Sequence, residues 1–347
     1  MTTVTAATAT ERRRALGQRS SPAARLLRRR ELQLVLAIVL VGGISTTIHS
    51  DFATASNISF MLADSVVTMV LAVGQTIVML GRGIDLSVAP ILGITAIAVG
   101  FPAQDHNLNI FVALVLVLLI GAGLGIGNGV LVAVIGIPPI IATLATLTIY
   151  GGLQFIFTSG NEVVSVPPTY GDLGSDNMVP GVPWLVVIGA GVVAVASLFL
   201  ARTTPGRAIY AVGNNIGAAF RAGLPVKRVV FSTYVLSGLL AGLGGLLYLC
   251  ITGSADATSG TDTNVNLYSI AAALIGGTAL LGGRGGPVGG ALGAVFLSVA
   301  LTAMVFARIP PIWEPAGVGV LILLAVVADR KGSPIRQMLR QPARAAP

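Results

Sequence analysis

Apolar runs of about 18 to 25 residues recur along this chain, and they limit its fold more than any other feature. A helix rises about 1.5 Å per residue, so one such run crosses a hydrocarbon core about 30 Å thick with its backbone polar groups bonded inside the helix. Only 10% of the 347 residues are charged and the mean hydropathy is +0.88, too little polar surface to cover a soluble domain of this size. Runs near 32–49, 60–80, 86–101, 109–135, 139–158, 183–201, 229–250, 266–281, 287–306 and 312–328 predict ten transmembrane helices in an all-α polytopic membrane protein.

The charges test this count, because basic residues stay on the cytoplasmic side during insertion. With ten spans and both termini inside, 20 of the 21 lysines and arginines fall inside: eight before residue 32, Arg82, five in 202–228, Arg284 and five after residue 328. Only Arg308 falls outside. The outward connections carry Asp51, Asp105, Glu162, Asp172, Asp176, Asp256 and Asp262. An odd number of spans breaks this partition. The net charge of +8 therefore reads as membrane topology, and nucleic acid is not an expected partner. The chain divides into a basic cytoplasmic arm at 1–31, a transmembrane domain at 32–328 with a cytoplasmic loop at 202–228, and a cytoplasmic tail at 329–347. The arm is followed by a run lacking a small-x-small cleavage site, so it reads as a topology anchor beside membrane lipid and not as a cleaved signal. The single cysteine, Cys250, lies within an apolar run and reads as packing.

Catalytic patterns are missing. Neither lysine, Lys227 nor Lys331, ends a G-x-x-x-x-G-K-[ST] loop, so no ATP site of that kind is encoded. His49 and His106 have no Cys or carboxylate at ligand spacing, and neither metal nor another cofactor is expected in the chain. No G-x-S-x-G elbow or paired carboxylates suggest hydrolysis. A transport subunit, not an enzyme, is the expectation. A secondary transporter needs ionisable groups near the midplane to bind or relay its coupling ion. Here Asp64 is the best candidate and lies only a few residues into the second span, while Glu314 sits at an end of the last one. So sparse a set favours a driving force on a separate chain, with ion-coupled transport as the alternative.

MLGRGIDLSVAPILG at 79–93 resembles the Gly-Gly-Ile-Asp-Leu-Ser-Val-Gly-Ser element of permease subunits of bacterial carbohydrate ABC importers, the ribose, xylose and galactose type. Asn128-Gly129, IPPIIATLATLTIYGGL at 137–153, TPGRAIYAVGNN at 204–215, YVLSGLLAGLGGL at 234–246 and IAAALIGGTALLGGRGGPVGGALGA at 270–294 resemble its further motifs in the same order. The resemblance covers about residues 35 to 330. It implies an ABC importer permease fold in the bacterial plasma membrane, working with a second permease copy or paralogue. It further implies a cytoplasmic ATPase that carries ATP and Mg, an extracytoplasmic substrate-binding protein, and a monosaccharide or related polyol as cargo. Branched-chain amino acids or nucleosides are the alternative cargo within the same class. This chain departs from the pattern twice: Arg82 stands where the first Gly of Gly-Gly-Ile-Asp is found, and Asn215-Ile216 replaces an acidic pair in the cytoplasmic loop.

Four sets of residues follow. Gly81, Arg82, Gly83 and Asp85, with Gly283, Arg284 and Gly285, are expected at cytoplasmic turns; there the glycines allow tight reversal, and Asp85 opens the third helix and pairs with Arg82. Polar residues embedded in spans must find partners or line water, so Asp64, Gln75, Asn128, Thr146, Gln154, Asn266 and Tyr268 are candidates for the substrate pathway, with Thr143 as a further embedded hydroxyl. For each, an interhelical hydrogen bond is the competing role. Residues 202–228 are the one long internal basic loop. Thr204-Pro205-Gly206-Arg207 is expected as a turn, followed by a short helix over IGAAFRAG that Gly223 ends. Arg207, Gly213, Asn214, Gly217, Ala218, Ala219 and Gly223 are the expected ATPase-coupling residues. Finally, Gly121/Gly125/Gly129, Gly238/Gly242 and Gly289/Gly293 recur at i, i+4 and predict close helix packing in lipid.

Overall fold

A computed structural model describes residues 30–175, 177–179, 182–262 and 264–331. The basic arm before residue 30, with its expected role beside lipid, and the tail from residue 332 lie outside the described residues.

The described chain is built of helices: α1 (Arg30–Ile48), α2 (Ala55–Leu80), α3 (Val88–His106), α4 (Ile110–Gly129), α5 (Pro139–Thr158), a short α6 (Pro168–Ser175), α7 (Trp184–Arg202), α8 (Thr204–Asn214), α9 (Ile216–Arg221), α10 (Val226–Thr252), α11 (Val265–Ile275), α12 (Pro287–Phe306) and α13 (Glu314–Lys331). Between α6 and α7, β1 (Asn177–Val179) and β2 (Val182–Pro183) form a small antiparallel ribbon. All ten predicted spans have a helix. Eight are long and apolar enough to cross a membrane, counting α4 together with the π-helical turn Val130–Ile135 that prolongs it. The eighth predicted span, 266–281, is corrected: α11 has 11 residues, and its chain then runs irregularly through Gly277, Gly282, Gly283 and Gly285, all with positive φ. Eleven helical residues rise only about 16 Å, half a hydrocarbon core. The tenth span is also a shorter apolar helix, 311–327.

α2, α3 and α10 are mostly buried, and α4, α5 and α7 form an outer layer whose exposed faces carry large apolar side chains such as Phe111, Leu119, Ile141 and Phe155. Lipid chains are as apolar as leucine, so burial of such residues gives these helices little reason to associate; close contact does. The glycine rows supply it. A Cβ on Gly121 would strike the Gly238 carbonyl, and one on Gly125 would lie 3.2 Å from Gly238 Cα, so α4 and α10 cross backbone against backbone. Gly289 and Gly293 seat α12 against Gly276 and Ala272 in the same way.

The loops gather at two ends. At the basic end the 81–87 turn, α8, α9 and the 276–286 segment meet. At the opposite end Val163 pairs with Ala255, Gln104 accepts from Val164 N–H (2.9 Å) and the Tyr170 hydroxyl donates to the Leu108 carbonyl (2.9 Å). That end carries Asp51, Asp105, Glu162, Asp172, Asp256 and Asp262.

Candidate functional site

The GRGIDLSV stretch forms its turn by an unexpected route. Arg82, not either glycine, takes the left-handed conformation at φ 69. Gly83 is required for space, since a Cβ there would run into the Tyr234 hydroxyl and lie 2.8 Å from Val78 Cγ1. The expected Arg82–Asp85 pair does not form. Arg82 turns outward, its Nε donating to the Gly213 carbonyl (2.7 Å) and its Nη2 to that of Asn214 (3.1 Å). α3 begins at Val88, so Asp85 precedes the helix it was expected to open. Its side chain is fully buried, and Oδ1 accepts from the Ser87 N–H (3.0 Å) and hydroxyl (2.7 Å) while Oδ2 accepts from Ser237 Oγ (2.8 Å).

From Asp85 a chain of hydrogen bonds runs through the core. Asn128 donates to Ser87 Oγ (2.7 Å) and accepts from Thr146 Oγ1 (2.7 Å). With its amide oriented to suit its neighbours, Gln75 donates to the Asp85 carbonyl (3.0 Å) and accepts from the Asp85 N–H (3.3 Å). Thr143 ties α5 to the Ile84 carbonyl (3.2 Å). Gln154 donates to the carbonyls of Pro90 (3.3 Å) and Ser259 (3.2 Å), clamping α5, α3 and the 253–264 connection together. These residues are buried at 3% exposure or less, and in this conformation they bond protein groups. The physical reason is dielectric: a polar group left unpaired among apolar helices costs several kcal/mol, so the helices close around partners, and of this set Gln154 Oε1 is left without one among the described residues.

Two of the predicted pathway residues lie elsewhere, in an adjoining pair of cavities. One of about 470 Å³ lies among α2, α10, α11, α12 and the start of α13, lined by Asp64, Thr68, Tyr248, Tyr268, Ser298, Thr302 and Glu314 among others. A wider one of about 1010 Å³ opens at the acidic end beside α6, and the two share Phe60, Asp64, Ile251 and Thr252. Asp64 is exposed to this space and accepts from Ser298 Oγ (3.0 Å), which also hydrogen-bonds the Met61 carbonyl (2.9 Å). Asn266 is half-buried on α11, its Oδ1 accepting from Leu267 N–H (2.9 Å), and does not line either cavity. Ser298, Thr302 and Thr68 were missed by sequence reasoning. A lone Ser or Thr in an apolar run carries no signal, because only the docking of α12 on α2 brings Ser298 to Asp64.

The basic end holds the second set. TPGR is not a free turn: Thr203 caps α8, its hydroxyl accepting from Gly206 N–H (3.1 Å), and Pro205 sits in the first turn, where its missing N–H costs nothing. Asn215 caps α9 by accepting from Ala218 N–H (2.9 Å), the role a carboxylate fills at a helix start. Gly223 ends that short helix with φ 80. Ala219 is buried, while Gly217, Ala218, Ile216 and Phe220 are exposed, Phe220 at 73%. Arg207 and Asn214 are exposed on α8, and Gly213 is buried where a Cβ would collide with the Leu80 carbonyl. Gly283 N–H donates to that carbonyl (3.1 Å), and the Tyr210 hydroxyl donates to the Gly285 carbonyl (2.9 Å). The two glycine-rich turns and α8 thus form one knot, with Gly283 buried and Arg284 and Gly285 exposed.

Residues 57–326 match the family model described as "Branched-chain amino acid transport system / permease component". The chain is 34% identical over 320 residues to the Autoinducer 2 import system permease protein LsrC of Enterobacter sp. (strain 638), covering 92% of this chain and 91% of that protein. It is 34% identical over 302 residues to the Probable ABC transporter permease protein y4mJ of Sinorhizobium fredii, covering 87% and 90%. It is 33% identical over 302 residues to LsrC of Escherichia coli (strain K12 / DH10B), covering 86% of each. No solved structure matches.

Proposed function

This chain belongs to the family of permease components described for branched-chain amino acid transport systems, and from that premise we propose that its cargo is a monosaccharide or related polyol drawn into a bacterial cell. It is a multi-pass permease subunit of an ABC importer in the bacterial plasma membrane. The relatives named for autoinducer 2 import support a small hydroxylated cargo over a branched-chain amino acid.

One observation carries the proposal: the cavity beside Asp64, where the Thr68, Ser298 and Thr302 hydroxyls and the two carboxylates offer partners to sugar hydroxyls and Tyr248 and Tyr268 offer faces to a ring. Asp64 and Tyr268 are its pathway residues. Gln75, Asn128, Thr146, Gln154 and Asn266 border the route only if the helices that bury them rearrange. The acidic end then faces outward, where a binding protein delivers the cargo, and the basic end with both termini faces the cytoplasm. There α9 offers Gly217, Ala218 and the exposed Phe220 to a soluble ATPase that binds ATP and Mg on its own chain. A second permease copy or paralogue completes the pathway. ATPase closure moves α9 as a rigid body, and the knot of Arg82, Gly213 and Gly283 carries that motion to α2 and to the α11–α12 segment.

Reconstitution of the subunit with its ATPase and binding protein tests this reading. Labelled monosaccharide should accumulate only with ATP, leucine should not compete, and Gly217→Glu with Ala218→Glu should abolish ATPase co-purification. Accumulation by the permease alone under a proton or sodium gradient defeats the proposal.

A further inference from the structure

The carboxylates at the acidic end of the cavity do more than accept hydrogen bonds. Asp64, Asp172 and Glu314 line the two joined spaces, and no lysine, arginine or histidine among the described residues lines either. Among the described residues Asp64 has one bonding partner, Ser298 Oγ at 3.0 Å on Oδ2, and the residue is exposed to the cavity. Glu314 is half-buried at the start of α13, and neither carboxylate has a cationic partner among the described residues. Much of the wall is apolar, with Val67, Leu297 and Val305 facing the same space. Charges held in a cleft with low-dielectric walls focus their field there instead of losing it to solvent.

We propose that Asp64 and Glu314 make this cavity a charge filter, admitting neutral or cationic polyhydroxylated solutes and turning back anionic ones such as sugar phosphates and sugar acids. The inference rests on the cavity being the cargo route. A sugar hydroxyl donates to a carboxylate oxygen, and a carboxylate accepts from two neighbouring hydroxyls at once, so neutral polyols meet acceptors in the right number. A phosphate or carboxylate brings only acceptors and a like charge into the focused field.

The field is measured without knowing the cargo. Thr302 lines the cavity at half-exposure, and Cys250 lines the wider space. In the assembled transporter, on a Cys250→Ala background, Thr302→Cys is labelled with cationic and anionic methanethiosulfonates of equal size, and the rate ratio is divided by that for free cysteine. The corrected ratio should favour the cation by about tenfold or more, and fall to about twofold or less in Asp64→Asn/Glu314→Gln. Glu314→Gln alone, at the bundle edge, should lower it part of the way and serves if the double variant fails to assemble. A ratio near one in the parent, or one that neutralisation leaves unchanged, overturns the filter. A second arm tests the route: full labelling of Thr302→Cys with a neutral reagent of the same length should block uptake. Undiminished uptake overturns the route and the filter with it, whereas a failed charge ratio with blocked uptake overturns the filter and leaves the route standing.

Discussion

Arg82 holds a left-handed backbone that disfavours any residue with a Cβ by about 1–2 kcal/mol, and it remains because its guanidinium bonds the last carbonyls of α8. The two terms separate experimentally. Arg82→Ala keeps the strain and loses the bonds, whereas Arg82→Gly loses both, so the glycine variant should be the more stable of the two by about 1 kcal/mol in detergent melts. Equal stability would mean that the strain is absorbed elsewhere. Asn128 gives a contrasting case. It joins Ser87 to Thr146, and Asn128→Leu removes one hydrogen bond on each side, at about 0.5–1.5 kcal/mol each, while Ser87 keeps Asp85 and Thr146 keeps the carbonyls of its own helix. Folded yield should therefore drop before transport per molecule does; normal yield with slow uptake would place Asn128 on the route.

At the scale of elements, α4 and α10 depend on missing side chains. Gly238→Leu should separate them and lower the melting temperature sharply, because the added atoms meet the backbone at Gly121 and Gly125. Gly123 on the same helix has nothing within 4 Å of an added Cβ, so Gly123→Leu should melt like the parent. Comparable melting temperatures in both variants would show that the close α4–α10 contact does not set the stability, since leucine is the better helix former at either position. The connection between α10 and α11 lies outside the spans and is ordered differently. Burial raises the Asp256 carboxyl, but hydrogen bonds from Thr258 and Ser259 outweigh it, leaving the group below its ordinary 3.8. A carboxylate lowered on folding stabilises at pH values above its unfolded value, and the contribution fades as pH falls through the folded one. Hydrogen-exchange protection across 254–262, with the intrinsic pH dependence of amide exchange divided out, should hold from neutral pH down to about 4 and fall below it, and Asp256→Asn should flatten that dependence.

For the whole molecule, the consequential feature is the knot at the basic end, where three stretches more than 60 residues apart in sequence meet at Leu80, Gly213 and Gly283. Gly213→Val must push α8 away from the Leu80 end of α2 while leaving the apolar run of every span unchanged. Insertion should persist, and the number of cargo molecules moved per ATP hydrolysed should fall in reconstituted complexes. An unchanged ratio would show that α9 transmits its motion through α10 instead.

What the sequence determined alone follows from solvent physics. Apolar runs of spanning length leave helices as the only way to satisfy a backbone in lipid, basic residues mark one end, and paired glycine rows mark the faces that pack; all of these are local in the chain. The Gly-rich motifs likewise disclosed the family. The tertiary structure decided the rest. Asn128, Gln154 and Asp64 look alike as isolated polar residues in apolar runs, yet the first two close bonds within the core and the third faces open space. Which fate each meets depends on helix rotation and on partners such as Ser87, Ser259 and Ser298, fixed by contacts between distant segments. The shortness of α11 and the left-handed turn at Arg82 were equally out of reach, since an apolar residue reads the same in a helix or beside one, and an arginine gives no sign that its neighbours will hold it where a glycine belongs.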